Sequence, residues 1–261
     1  MDLSNDNIIH IKGKNLEYIQ FRKLNEFGIK HAYTLKNEGI NFRIKNNKEN
    51  AKRSYEILCE ELGVDYTKLI RPHQTHTDVV KCIDSALEEA ELEDVDGTLT
   101  NVEGYTLATT NADCILYLVY DPIKRVIGSI HSGWRGTYKQ IIEKTIDIMI
   151  DKYESKVDDI YVFVCPSIRK CHFEVEKDVR DLFEEKFSNL EQINEIILAG
   201  NREGKYYIDT VYLNNILLQN KGIKENHIID SGICSVCNKN MIGSYRVEGK
   251  MYTAGTAVIA L

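Results

Sequence analysis

The sequence lacks the features that would place a protein in a membrane or direct it out of the cell. Its longest strongly apolar stretch, CILYLVY at residues 114–120, is far shorter than the ~20 residues that a membrane-spanning helix needs. The amino-terminal segment MDLSNDNIIHIKGK has no basic region followed by an apolar core, which a secretory signal peptide would have. We therefore expect a cytoplasmic protein without a membrane-spanning segment.

An excess of positive charge, flexible linkers and a disulfide framework are also missing. The formal net charge is -7, so we expect neither nucleic acid nor an anionic membrane surface as a partner. Only three prolines occur in 261 residues, and the absence of low-complexity linkers and internal repeats predicts a single domain over residues 1–261. The seven cysteines are irregularly spaced, which is typical of reduced thiols in a cytoplasm.

The spacing of apolar residues predicts a mixed α+β protein with largely antiparallel sheets. Helical periodicity predicts helices over 49–63 and 137–150 and, less regularly, over 174–187 and 210–221. The short link DPIK predicts an antiparallel hairpin, because a parallel pair of strands needs a much longer crossover. Strand-like runs outnumber the helices: EYIQF, HAYTL, DVVKCI, YTLATT, ILYLVYD, RVIGSIH, DIYVFVC, INEIILA, NHIIDSG and YTAGTAVIAL.

Three segments each place a possible metal ligand beside the end of a predicted strand. They are His76 in RPHQTHTDVV, Cys114 in TTNADCILY and His131 in SIHSGWRG. Two neutral imidazoles and a thiolate make a plausible zinc set that leaves the fourth tetrahedral position open, as in catalytic zinc sites. No local motif such as HExxH unites them, so the site depends on the fold. Each residue also fits an ordinary role, as a loop histidine, a small buried thiol or a capped strand end.

The same residues fit catalysis without a metal. Cys114 could act as a nucleophile with His131 as its base, which would make the protein an amidohydrolase acting on peptide or cell-wall amides. A bound metal would occupy the thiolate and quench this nucleophile. Zinc content therefore distinguishes the two hypotheses.

The segment SIHSGWRG also holds the sole tryptophan and an arginine between glycines. We expect Arg135 to lie in a turn before a helix that starts near Thr137, where free backbone N–H groups favour a phosphate or carboxylate. The alternative for Arg135 is a surface ion pair. Trp134 could stack on an aromatic ligand or close the sheet edge, and we favour the second role. Asp113 could orient a histidine ligand or serve as a turn aspartate.

The remaining cysteines and histidines give weaker signals. Cys234 and Cys237 have the C-x-x-C spacing of half a zinc site or of a redox dithiol. With Cys165 and Cys171 they would make a four-cysteine zinc site, but we take unpaired thiols as the simpler interpretation. We expect structural roles for the other histidines: His10, His31, His73, His172 and His227.

Six segments occur in an order that resembles the YfiH/YlmD family, also called laccase-domain or polyphenol oxidase proteins: HQTHTDVV, DGTLT, TTNADCILYLVYDP, IGSIHSGWRGT, CPSIRKCHFEV and GSYR. The resemblance runs from about residue 30 to the carboxyl terminus. It implies an α/β/β/α architecture similar to the catalytic domain of cytotoxic necrotizing factor toxins, with zinc held by His76, Cys114 and His131. It also implies substrate-binding roles for Gln74 and Arg135.

The resemblance implies two reactions on purine nucleosides, with His76, Cys114 and His131 as catalytic residues. One is phosphorolysis of adenosine, inosine, guanosine or methylthioadenosine to the free base and a sugar 1-phosphate, and the other is zinc-dependent deamination of adenosine. We do not expect copper oxidation, because a multicopper centre needs many histidine ligands and the chain has seven histidines without an H-x-H pair. The chain departs from the family in an early segment, where Lys36 replaces an arginine.

Overall fold

The structure is a computed structural model that describes residues 2–44, 47–85 and 89–261. Within these ranges the strands are β1 (Ile8–Lys12), β2 (Glu17–Phe21), β3 (Lys30–Thr34), β4 (Leu69–Ile70), β5 (Val80–Cys82), β6 (Gly97–Thr100), β7 (Thr106–Asn111), β8 (Ile115–Asp121), β9 (Val126–Ser132), β10 (Tyr161–Val164), β11 (Glu174–Glu176), β12 (Ile197–Ala199), β13 (Lys205–Ile208), β14 (Ile228–Asp230) and β15 (Gly255–Ala260). The α-helices are α1 (Arg22–Glu26), α2 (Lys48–Leu62), α3 (Trp134–Tyr138), α4 (Ile141–Tyr153), α5 (Lys177–Lys186), α6 (Ile193–Ile196), α7 (Thr210–Asn220) and α8 (Tyr245–Glu248).

The strands form two six-stranded sheets and one small sheet. Sheet 1 has the order β1-β2-β3-β15-β7-β4, sheet 2 has the order β14-β10-β8-β9-β6-β5, and sheet 3 has the order β11-β13-β12. Among the described strands the parallel pairs are β4 with β7, β5 with β6 and β10 with β14. The other pairs are antiparallel, so the predicted mixed fold with largely antiparallel sheets is confirmed.

Sheets 1 and 2 pack face to face, and helices cover their outer faces. Strands alternate their side chains between two faces, and the inner faces bury a shared core that includes Ile19, Tyr33, Leu107 and Ile259 of sheet 1 with Leu116, Leu118 and Phe163 of sheet 2. On the outer face of sheet 1, α2 packs through Tyr55 and Leu58. On the outer face of sheet 2, α4 and α7 pack through Ile142, Ile146, Met149 and Leu218. The layers therefore run helix, sheet, sheet, helix.

The predicted hairpin and two of the predicted helices are confirmed. Strands β8 and β9 pair antiparallel around the DPIK link, with Leu116 opposite His131. Helix α2 begins after Asn47, whose side chain accepts a hydrogen bond from the Asn50 N–H, and ends before Gly63 in the left-handed conformation. Helix α7 matches the prediction over 210–221 to within one residue.

Three predicted elements differ from the structure. The helix predicted over 174–187 begins as strand β11, and helix α5 starts only at Lys177. The helix predicted over 137–150 is two helices, α3 and α4, because Gln140 adopts a left-handed backbone with φ 62° between them. The segment INEIILA, predicted as a strand, starts as helix α6 and becomes strand β12 only at Ile197. Helix α6 packs its buried Ile196 against the cluster of Phe183 and Leu213, a long-range contact that periodicity does not reveal.

In residues 2–44, 47–85 and 89–261, no helix combines the length and the apolar character required to cross a membrane.

Candidate metal centre and active site

The three predicted ligands come together at one edge of the packed sheets, where we call them the first cluster. His131 lies near the end of β9, Cys114 lies directly before β8, and His76 lies in the loop between β4 and β5. Their ligand atoms lie within 4.8 Å of one another. The Cys114 Sγ is 3.7 Å from the His76 Nε2, and the two imidazole rings are nearly perpendicular, with centroids 4.9 Å apart. The fold therefore supplies the convergence that the sequence alone could not establish.

Asp96, at the entrance to β6, organises both histidines of the first cluster. Its carboxylate is fully buried and accepts hydrogen bonds from the His131 Nδ1–H at 2.6 Å and from the His76 backbone N–H at 3.1 Å. It also accepts hydrogen bonds from the backbone N–H and the hydroxyl of Thr77, each at 2.7 Å. Because a carboxylate can only accept, His131 carries its proton on Nδ1 and directs Nε2 toward the cluster.

Asp96 was not among the predicted site residues, and Asp113 was predicted to serve either as a turn aspartate or as the group that orients a histidine. The Asp113 carboxylate instead accepts hydrogen bonds from the Ser235 hydroxyl and from the Arg246 backbone N–H, both at 2.6 Å. Asp113 has φ 89°, so it serves the turn before Cys114 rather than a histidine. The signal available for Asp96 was its position in DGTLT, directly before a strand that pairs with β9.

Gly133 allows the first cluster to close. A Cβ atom at this position would lie 2.6 Å from the His76 Cδ2 and 3.1 Å from the Cys114 Sγ. Both distances are shorter than van der Waals contacts between heavy atoms. Any side chain at residue 133 would therefore displace two of the three predicted ligands.

The titrating groups of the first cluster shift one another. Burial alone would raise the pKa of the Cys114 thiol, but the His131 and His76 imidazoles outweigh burial and lower that pKa to about 6. Burial would lower the pKa of His131, but Cys114 and Asp96 raise it to about 9. Burial would also raise the pKa of Asp96, but its hydrogen bonds from His131 and Thr77 lower it to about 2. The cluster thus favours a thiolate at neutral pH, which is the form that binds metals.

The first cluster lies in the wall of a cavity of about 990 Å³, which we call the large cavity. Aromatic side chains contribute to its lining: Phe42, Tyr66, Trp134, Phe173, Tyr245 and Tyr252. Basic side chains also line it: Arg43, Lys48, Lys52, Arg71 and Arg246. A concave, largely apolar pocket with a few converging polar groups is typical of a small-molecule site.

The structure alters the interpretation of Arg135. Helix α3 begins at Trp134, three residues before the predicted start, so Arg135 lies in its first turn and not in the preceding loop. Its guanidinium is exposed and lies 4.3 Å from the Trp134 ring centroid. Trp134 itself both lines the large cavity and packs against the cluster of Phe183. Arg135 is not among the residues that line the cavity.

Gln74 and Lys36 are held by other parts of the protein. The Gln74 amide donates to the Thr110 carbonyl and accepts from the Thr110 N–H, both at 2.8 Å, which fixes the His76 loop to β7. The Lys36 ammonium pairs with Glu248 and donates to the Lys239 carbonyl at 2.6 Å. Lys36 lines a smaller cavity of about 450 Å³, away from the first cluster.

A second group of ligand-type side chains converges elsewhere in the described chain. Cys171, His172, Cys234 and Cys237 have their ligand atoms within 4.8 Å of one another, and we call them the second cluster. The three cysteines are free thiols, as expected, but they lie together with His172 in one group. The structural role expected for His172 stays a prediction. Cys165, the other candidate for a four-cysteine site, is fully buried and lies outside the cluster.

The chain is similar to proteins with names that describe nucleoside chemistry. Adenosine deaminase RL5, from an unknown prokaryotic organism, is 32% identical over 199 residues, which cover 74% of this chain and 74% of that protein. The purine nucleoside phosphorylase CA_C1699 of Clostridium acetobutylicum is 29% identical over 239 residues, which cover 91% of this chain and 94% of that protein. The purine nucleoside phosphorylase YlmD of Bacillus subtilis is 29% identical over 203 residues, covering 74% of this chain and 71% of that protein.

Solved structures share the fold. YfiH from Bacillus licheniformis superposes with a TM-score of 0.87 at 23% identity, covering 97% of this chain and 98% of that protein. YlmD from Geobacillus stearothermophilus superposes with a TM-score of 0.84 at 20% identity, covering 100% of this chain and 99% of that protein. The family model described as multi-copper polyphenol oxidoreductase laccase matches residues 26–261. The chain therefore belongs to the YfiH/YlmD family of laccase-domain proteins.

Proposed function

We propose that this chain is a purine nucleoside enzyme that carries out phosphorolysis of nucleosides and zinc-dependent deamination of adenosine in the large cavity. One observation carries the proposal: His76, Cys114 and His131 converge in the wall of a cavity large enough for a nucleoside. The names of the relatives, an adenosine deaminase and purine nucleoside phosphorylases, support an enzyme role for the same fold.

The donor set of the first cluster fits zinc. Two imidazole nitrogens and one thiolate are ligands that zinc prefers, and three protein ligands leave one position open. When bound there, zinc supplies Lewis-acid chemistry and makes water more acidic. His131 would bind through Nε2, since its Nδ1–H is held by Asp96. Asp96 thereby fixes the ring orientation and prevents the imidazole from binding through the wrong nitrogen.

The aromatic lining of the large cavity supports recognition of a purine. Flat rings offer stacking surfaces that tolerate different bases, and Trp134, Phe173 and Tyr245 contribute to the wall that holds the first cluster. This tolerance agrees with a set of substrates that share a purine and differ in its substituents: adenosine, inosine, guanosine and methylthioadenosine. Trp134 then acts as both packing residue and base platform.

Arg71 offers the best-placed contact for phosphate. It lines the large cavity on the same loop as His76, and its guanidinium lies 5.1 Å from the Tyr55 ring centroid. Among the described residues it has no hydrogen-bond or ion-pair partner, whereas Arg43 and Arg246 donate to backbone carbonyls. In phosphorolysis a phosphate oxygen bonds to the anomeric carbon as the glycosidic bond breaks, and the base leaves with a proton. A guanidinium beside the phosphate would hold it for this attack. The substrate-binding role of Arg135 stays a prediction.

Phosphate dependence tests the phosphorylase activity. Purified protein should convert inosine to hypoxanthine and ribose 1-phosphate in phosphate buffer, and the rate should vanish in sulfate of matched ionic strength. Chromatography of base and sugar phosphate provides the measurement. Release of hypoxanthine with free ribose at equal rates in both buffers would contradict phosphorolysis.

Zinc dependence tests the deaminase activity. Adenosine should yield inosine and ammonia, the rate should fall on chelation, and added zinc should restore it. Activity that survives complete zinc removal and disappears on alkylation of Cys114 would support the Cys/His amidohydrolase instead, an alternative that the names of the relatives do not favour. Elemental analysis that finds copper in the first cluster would contradict the zinc assignment.

Three further expectations accompany this proposal. We propose that residues 1–261 act as one catalytic domain, with the core between sheets 1 and 2 as its centre. Seven free cysteines agree with a reducing compartment, and we propose the cytoplasm. The similarity to the catalytic domain of cytotoxic necrotizing factor toxins stays a prediction.

A further inference from the structure

The second cluster lies outside the large cavity and has no part in the proposed chemistry. Cys171 and His172 come from the turn between β10 and β11, and Cys234 and Cys237 come from the segment between β14 and α8. We propose that these four side chains bind a second, structural zinc ion. The proposal is independent of the nucleoside chemistry proposed for the first cluster.

The distances between the donor atoms match a tetrahedral zinc site. Zinc–sulfur bonds of ~2.3 Å and zinc–nitrogen bonds of ~2.0 to 2.1 Å place two sulfurs about 3.8 Å apart and a sulfur and a nitrogen about 3.5 Å apart in a tetrahedron. The Cys171 Sγ is 3.6 Å from the Cys234 Sγ and 3.9 Å from the Cys237 Sγ. The His172 Nδ1 is 3.2 Å from Cys171 Sγ, 3.6 Å from Cys237 Sγ and 3.7 Å from Cys234 Sγ.

The four donors surround one common centre, and no disulfide bond joins two of them. All the described cysteines are free thiols, and sulfur separations of 3.6 and 3.9 Å are far longer than the ~2.0 Å of a disulfide. Three thiols also surround one imidazole nitrogen at similar distances, an arrangement that a redox dithiol does not need. Four protein ligands would fill the coordination sphere, which is the property of a structural zinc site.

Hydrogen bonds connect the second cluster to the wall of the large cavity. Ser235, between the two cysteines of the C-x-x-C pair, donates its hydroxyl to the Asp113 carboxylate at 2.6 Å. Arg246 donates its backbone N–H to the same carboxylate and its guanidinium to the His172 carbonyl at 2.8 Å. Since Asp113 precedes Cys114, the second zinc would fix the carboxyl-terminal segment that carries Tyr245 and Arg246 into the cavity.

Zinc stoichiometry of single-cysteine variants tests the proposal. The full-length protein, prepared with reductant and separated from free metal by gel filtration, should hold two zinc ions per chain. The exposed Cys237 can be changed with little effect on the core, and Cys237→Ser should lose half of the bound zinc. Cys82→Ser is the matched control, because Cys82 is a half-exposed thiol outside both clusters, and it should keep both ions.

A complementary variant distinguishes failure of this proposal from failure of the proposed function. Cys114→Ser should retain one zinc, and cobalt substituted into that variant should give the intense thiolate charge-transfer absorption of three sulfur ligands. If the first cluster binds no zinc, the unaltered protein holds one ion that Cys237→Ser removes, and the second site stands. The proposal is overturned if Cys237→Ser keeps all the zinc of the unaltered protein. Iron at this cluster, or a Cys171–Cys234 disulfide found by mass spectrometry in reductant, would also overturn it.

Discussion

The first and second clusters use the same two residue types in opposite ways. The first has three donors with a single thiol, and it lies in the wall of the large cavity. The second has four donors with three thiols, and it lies outside that cavity. An open coordination position beside a pocket suits chemistry, whereas a filled coordination sphere between two loops suits cross-linking. The number of donors and the position of the cluster, rather than the residue type, distinguish the two proposed roles.

The pKa values of the thiols also differ between the two clusters. Two imidazoles lower the pKa of the Cys114 thiol to about 6 against the effect of burial. In the second cluster, burial and the neighbouring Cys234 and Cys237 raise the pKa of Cys171 to about 12. Without a metal, the first cluster therefore holds a thiolate at neutral pH. In the second cluster burial also raises the pKa of Cys237, whereas hydrogen bonds outweigh burial and lower the pKa of Cys234, so Cys171 and Cys237 are the thiols that keep their protons. Metal binding in the second cluster must release these protons.

Removing the thiol of the first cluster should give the largest difference in effect between the two clusters. In Cys114→Ser the hydroxyl is a much poorer zinc ligand, and loss of Lewis-acid chemistry worth several kcal/mol should lower kcat/KM for adenosine deamination by at least about 1,000-fold. Zinc in the second cluster should remain, as elemental analysis would show. Loss of both ions from the folded variant would mean that the clusters are not independent.

Thiol labelling of the metal-free protein should separate the clusters by roughly 100-fold in rate. Thiolate is the reactive form and its fraction rises with pH, so iodoacetamide should label Cys114 with a midpoint near pH 6, the value of its pKa. Cys171, with a pKa of about 12, should remain mostly unlabelled at pH 7. Peptide mass spectrometry after short exposure measures both sites in one sample. Similar labelling of the two cysteines at pH 7 would refute the contrast.

Neutralising the carboxylate behind His131 should weaken only the first cluster. Asp96→Asn replaces an acceptor of the His131 Nδ1–H with an amide, and loss of such an orienting group lowers metal affinity by about 10- to 100-fold. Asp94→Asn is the control, because Asp94 is an exposed neighbour whose carboxylate accepts from the Thr75 hydroxyl. Competition with a fluorescent chelator gives the affinities. Equal affinities in the two variants would show that Asp96 does not orient His131 for metal binding.

The smallest expected effect is on the KM for phosphate, and the test is to compare variants of Arg71 and Arg135. Arg71→Met removes a charge-assisted hydrogen bond worth about 1.5 to 3 kcal/mol, so the KM for phosphate should rise about 10- to 100-fold while zinc content is unchanged. Arg135→Met should leave that KM nearly unchanged, because its guanidinium is exposed and stacks on Trp134. The reverse result would indicate that Arg135, in the first turn of α3, is the residue that contacts phosphate.

The sequence predicts much of the sheet structure and the three members of the first cluster. The run ILYLVYD has the composition of a strand and forms β8. The hairpin of β8 and β9 follows from the short length of its link. The break at Gln140 was not predicted, because a left-handed backbone at one residue does not change the spacing of the apolar residues. Asp96 was missed since its function depends on the position of His131 on a neighbouring strand.

The second cluster could be predicted only by halves. Cys234 and Cys237 form a recognisable pair, but their partners come from a turn far away in sequence, and the fold selects His172 in place of Cys165. Cys165 follows β10 and points into the core, where it is fully buried. Adjacent residues such as Cys171 and His172 follow no ligand spacing that a motif would record. Long-range pairing of loops determines such a site, and a single sequence does not contain it.

The close approach at Gly133 has a consequence for how the protein tolerates mutation. A one-nucleotide change converts a glycine codon to alanine, and the added methyl carbon would lie 2.6 Å from the His76 ring. In a mutational scan residue 133 should therefore be as sensitive to substitution as the three predicted ligands, although it offers no donor atom. Activity in such a scan should depend on empty space at this position as strictly as it depends on the chemistry of the residues around it.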